Sequence, residues 1–103
     1  MKNSELKHQI VSSYMPFDPD RIVLFGSYAK EDEDKFSDID LIIVYSTSKS
    51  FLDRLKELYL CWNIPKAVDI LAYTPEEYQK MMLDNSFLQD AVNEGEVLYE
   101  RDS

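Results

Sequence analysis

The chain has 103 residues, 45% hydrophobic and 13% aromatic, with a formal net charge of -9. That length points to one small domain, expected to span residues 1–103 and to bury roughly 60–65% of the surface of the unfolded chain, while the hydrophobic content excludes a disordered tail. The acidic balance argues against general nucleic-acid binding, which relies on lysine and arginine displacing counterions from phosphates.

A lone Cys61 cannot close an intrachain disulfide, and Met1-Lys2-Asn3-Ser4-Glu5 lacks the apolar core of a signal peptide. The longest apolar runs are strand-length, far short of the ~20 residues that cross a bilayer. A cytoplasmic protein with no membrane association is expected.

Leu6, Ile10, Val11 and Tyr14 recur at helical spacing from Ser4 to Tyr14, and Pro16 and Pro19 close that segment. Arg21 to Phe25 reads as a strand covered on both faces and ended by Gly26, after which Ser27 to Lys30 can open a short helix. Glu31 to Ser37 is a polar loop, and Asp38 to Tyr45 a second buried strand. Phe51, Leu52, Leu55, Leu58 and Tyr59 mark the apolar face of the next helix, which Asn63-Ile64-Pro65 breaks. Ala67 to Tyr73 makes a third strand with Asp69 inside it. Thr74-Pro75-Glu76-Glu77 carries an N-cap, a proline at the first helical position and a capping box, starting a helix that runs to about Leu83. Ser86 to Glu94 is a further helix stopped by Gly95, and Glu96 to Glu100 a final edge strand. Strands alternating with helices predict an α/β fold, a small mixed sheet flanked by helices.

Two segments carry the chemistry. Residues two apart on a strand face the same way, so Asp38 and Asp40 project side by side while Ile39 enters the opposite layer. Such a carboxylate pair is relieved of its repulsion by divalent metal, most simply a pair of Mg2+ ions, and Asp69 on another strand can supply a third ligand. Gly26 and Ser27 stand where a strand turns into a helix: glycine admits close backbone approach, and the helix start and the Ser27 hydroxyl offer donors to an anion. Lys30, one turn along, can add a positive charge. A polyphosphate held between these segments suits in-line displacement at its α-phosphate, with Asp69 available to accept the proton of the incoming hydroxyl.

In these residues the chain resembles the minimal nucleotidyltransferases of the DNA polymerase beta-like nucleotidyltransferase superfamily. Their signature, Gly-Ser-x-Ala-Arg-Gly followed after a loop by Asp-x-Asp, is met by Gly26-Ser27-Tyr28-Ala29-Lys30-Glu31 and Ser37-Asp38-Ile39-Asp40-Leu41, and Val68-Asp69-Ile70 is similar to the third-carboxylate strand. Lys30 and Glu31 depart from the usual Arg and Gly: lysine lacks the planar fork of arginine, and Glu31 adds negative charge beside a phosphate site. The resemblance implies a nucleotidyltransferase fold, catalytic and metal-binding roles for Asp38, Asp40 and Asp69, phosphate binding by Gly26, Ser27 and Lys30, and ATP as donor.

It also implies a helical HEPN-type partner, for which such a protein acts as antitoxin by transferring AMP to a hydroxyl of the toxin. Two alternatives stand beside this. The domain could neutralise its partner by docking alone, its acidic surface covering a basic groove, or it could be one subunit of a small-molecule nucleotidyltransferase. A homo-oligomer is also compatible with the sequence. Elsewhere, His8 reads as a surface histidine, Cys61, Trp62, Met81 and Met82 as packing residues, and Tyr28 as a ring under the phosphate turn or against a nucleotide.

Overall fold

The apolar runs of the sequence become the centre of a four-stranded mixed sheet in the computed structural model, which describes residues 3–26 and 39–101. Strand β1 (Arg21–Phe25) lies antiparallel to both β2 (Ile39–Val44) and β4 (Glu96–Glu100), and β3 (Val68–Tyr73) runs parallel to β2 at the other edge. The order is β3-β2-β1-β4. The expected α/β architecture is present, with β1 and β4 at their expected bounds. The predicted helix from Ser27 to Lys30 lies outside the described residues.

Period-two alternation sends the two sets of strand residues into separate cores. Ile22, Leu24, Ile39, Leu41, Ile43, Ile70 and Ala72 pack with Leu6, Ile10 and Tyr14 of α1 (Asn3–Tyr14) and Leu58 of α2 (Phe51–Leu60). Val23, Ile42 and Val44 instead meet Leu88 and Ala91 of α4 (Ser86–Glu94), with Tyr78, Met81 and Met82 of α3 (Pro75–Asp84) alongside. Each fully buried Leu or Ile removed from water contributes about 1.5–3 kcal/mol, so these two layers fix the register of the central strands. Ile39 enters the first layer, and Asp40 therefore faces the second, the side of α3 and α4. Cys61 and Trp62 pack partly buried against the first core, and His8 is exposed, both as read from the sequence.

Local signals hold the helices in place. Thr74 accepts from the Glu77 backbone at 3.2 Å while Glu77 accepts from the Thr74 backbone at 2.9 Å, a complete capping box. Gly95 ends α4 against β1, where a Cβ would stand 2.6 Å from the carbonyl oxygens of both Ala91 and Leu24; only glycine permits that approach. Among the described residues no helix is long and apolar enough to cross a membrane.

The buried face of α2 departs from expectation. Phe51, Leu52 and Tyr59 are exposed, whereas Arg54 is buried with Leu58. Its guanidinium donates to Glu77 at 2.7 and 3.2 Å, to the Ala72 carbonyl at 3.3 Å and, through Nε, to the Lys49 carbonyl at 2.8 Å. Fully partnered in this way, an arginine can take a core-facing position that an apolar pattern assigns to its neighbours.

The hydrogen bonds from Arg54, and then that from the Thr74 backbone, hold Glu77 below the ordinary carboxylate range. A depressed acid contributes stability that is fully present above its unfolded value and lost as the pH falls through its lower folded value. Glu77→Gln keeps the capping box but removes this dependence. Thermal unfolding between about pH 7 and pH 3 is expected to show the variant less stable than wild type at neutral pH and the two curves converging below about pH 4. Parallel curves would assign the pair no such role.

Candidate active site

Register brings the predicted carboxylates together. In the parallel β2–β3 pair Asp40 stands opposite Asp69, and in the antiparallel β1–β2 pair Phe25 stands opposite Asp40. Paired residues of neighbouring strands share a face and are separated by about 4.8 Å, so Asp40 sits between Gly26, just past the end of β1, and Asp69 on β3. Asp40 is half-buried and Asp69 exposed. Ser27, Lys30 and Asp38, the other residues expected at the site, lie outside the described residues, as do Tyr28 and Glu31.

Gly26 adopts φ +78°, the left-handed region that L side chains rarely occupy. The reason for glycine is also steric, because a Cβ there would run into Asp40 Oδ2. The turn that ends β1 thus folds directly over the Asp40 carboxylate.

Beside these residues lies a cavity of about 460 Å³, lined among the described residues by Phe25, Gly26, Asp40, Phe87, Asp90, Ala91 and Glu94. Phe25 and Phe87 meet edge to face, with ring centroids 6.2 Å apart and planes at 86°. The α4 residues on this wall escaped sequence reasoning. Their stripe at 87, 90, 91 and 94 is visible as a helix face, but no local signal says that it borders the carboxylates; that follows from the packing of Leu88 and Ala91 on the sheet.

The donor chemistry suits a hard divalent cation: Asp40 and Asp69 offer oxygen ligands from adjacent rigid strands, and every charged residue among the described lining is acidic. Among the described residues no cluster of three metal-ligating side chains occurs, and Asp38, the expected third, is not one of them.

The family model of the polymerase beta nucleotidyltransferases matches residues 5–103, and the chain belongs to that family. Two relatives named as putative protein adenylyltransferases, both from Methanocaldococcus jannaschii, are similar to it. One is 32% identical over 74 residues, covering 71% of this chain and 80% of the relative; the other is 33% identical over 76 residues, covering 74% and 75%. The chain is accordingly an enzyme of nucleotidyl transfer.

Solved structures share the fold. A toxin–antitoxin structure with AMP-PNP superposes with a TM-score of 0.65 at 20% identity, covering 93% of this chain and 74% of that one. A nucleotidyltransferase described as putative, from Sulfolobus solfataricus, gives 0.62 at 21% identity, covering 95% and 79%.

Gly26→Ala tests the turn. The left-handed backbone alone costs a non-glycine residue about 1–2 kcal/mol, which lowers the melting temperature of a domain this size by about 4–16 °C, and the added methyl must displace Asp40. Calorimetry is expected to show that loss. An unchanged melting temperature would mean that the turn does not need glycine.

Proposed function

We propose that this chain is a metal-dependent protein adenylyltransferase that moves AMP from ATP to a hydroxyl of a partner protein, in the manner of an antitoxin acting on a helical HEPN-type toxin in the cytoplasm. The observation that carries the reading is the placement of Asp40 between the Gly26 turn and Asp69 on one face of the sheet. Relatives named as protein adenylyltransferases and a fold neighbour described as a toxin–antitoxin structure with AMP-PNP support the choice of donor and partner.

In this reading Asp38, Asp40 and Asp69 hold Mg2+, two ions when the site is full. The metal would supply charge neutralisation for the triphosphate and for the oxygens entering and leaving the α-phosphate. Gly26 lets the backbone approach the phosphates, while Ser27 donates its hydroxyl and Lys30 its ammonium to them. Asp69 orients the acceptor hydroxyl and takes its proton as the new oxygen–phosphorus bond forms. The bond from the α-phosphorus to the bridging oxygen breaks, and pyrophosphate departs with the electron pair. Asp40, half-buried beneath the turn, keeps the α-phosphate in line with that attack.

Docking without chemistry is the competing account, and one double variant separates the two. Asp38→Asn with Asp40→Asn should abolish transfer of label from α-labelled ATP to the partner, lowering the rate by at least about 100-fold, while any masking that depends on contact alone survives. Wild-type protein that leaves the partner unlabelled yet still neutralises it would replace the enzymatic account with docking.

A further inference from the structure

The cavity beside Gly26 and Asp40, about 460 Å³, is large enough for a whole small molecule, since pockets of ~300–1,000 Å³ hold such ligands. One of its walls is α4. Phe87 there is 61% exposed, yet its ring meets that of Phe25 at 86°, so an open aromatic face is kept in a fixed orientation. Asp90, one helical turn on, is exposed and among the described residues has no hydrogen-bond or ion-pair partner, whereas Asp40 and Glu94 on the same lining are already engaged. Phe87 and Asp90 are therefore the groups on this wall with capacity left for a ligand.

We propose that this wall seats the nucleoside half of the nucleotide: the base stacks on Phe87, and Asp90 accepts a hydrogen bond from a hydroxyl of the ribose or an amino group of the base. That a nucleotide binds at all rests on the adenylyltransferase reading above. Chemistry divides the ligand between the two sides of the cavity. The triphosphate is a polyanion and belongs with the Gly26 turn and the metal-binding carboxylates, because the unpartnered charge of Asp90 repels it. The nucleoside is uncharged, flat at its base and rich in donors. An ionised carboxylate can only accept hydrogen bonds, and an aromatic ring stacks on any base, so Asp90 and Phe87 match that half and no other. Continuity fixes the place, because Gly26 and Asp40 line the same cavity as Phe87 and Asp90. A nucleotide whose phosphates lie at the turn leaves its sugar and base to the rest of that cavity.

Isothermal titration of the full chain in Mg2+, with ATP and with inorganic tripolyphosphate, separates the two halves of the ligand without requiring catalysis. Phe87→Ala is expected to weaken ATP binding about fivefold or more and Asp90→Ala about threefold or more, while both variants bind tripolyphosphate within about twofold of wild type. The sign at Asp90 discriminates. Were its charge merely a repulsive neighbour of the phosphates, removing it would tighten the binding of both ligands. Analogues identify the donor: the 2′-deoxy and 3′-deoxy forms of ATP each lack one ribose hydroxyl, and inosine triphosphate carries oxygen in place of the adenine amino group. At least one of these should bind wild type about threefold or more weakly than ATP does, and Asp90→Ala should erase that difference. Unchanged or tighter ATP binding in either variant, equal losses for ATP and tripolyphosphate, equal binding of all the nucleotides by wild type, or an analogue difference that persists in Asp90→Ala would overturn the proposal and leave the adenylyltransferase reading standing. Wild type that binds no ATP would overturn both.

Discussion

The pairing of β2 with a neighbour on each side is the constraint from which the site follows. An antiparallel partner brings the end of β1, and with it the Gly26 turn, alongside Asp40; a parallel partner brings Asp69 alongside from the other direction. A slip of one residue in either pairing would send a carboxylate into the opposite layer. The register is held by buried residues on both faces of β2, since Ile39 and Leu41 fill the core beneath α1 and α2 while Ile42 and Val44, on the face of Asp40, meet α3 and α4. Hydrophobic packing thus positions groups that take no part in packing themselves.

Small size makes the remaining anchors important. α4 contributes a wall of the cavity, and it is held by Leu88 and Ala91 on the sheet and by the close approach at Gly95. On the other flank, Arg54 ties α2 to the start of α3 through Glu77 and to β3 through the Ala72 carbonyl. Tyr59 accepts a hydrogen bond from the Ile70 backbone at 3.1 Å, occupying a donor on the edge strand that carries Asp69. The two edges are therefore treated differently: β3 is partly capped by α2, while β4 presents glutamates at both ends.

Much of this was legible in the residues. Continuous apolar runs ended by glycine or proline gave the strands, and the Thr74 capping box located α3 to within a residue. Asp-x-Asp at a strand head, with the glycine turn before it and Asp69 after it, was enough to bring Gly26, Asp40 and Asp69 together. The α2 face was misread because pattern reasoning counts arginine as polar, and only tertiary partners, Glu77 and two carbonyl oxygens, make Arg54 a core residue. The α4 wall was invisible for a related reason. Helical periodicity shows which residues share a face but not what that face meets; the packing of Leu88 on the sheet is what sets Asp90 and Glu94 beside Asp40.

Shared metal binding by carboxylates from two adjacent strands is the central claim, and isothermal titration of ATP into the full chain with and without Mg2+, repeated for Asp69→Asn, tests it most directly. The account predicts binding that requires Mg2+ in wild type and is weakened at least about tenfold in the variant, with the fold retained by circular dichroism. Binding of equal strength in both proteins, or binding indifferent to Mg2+, would contradict it.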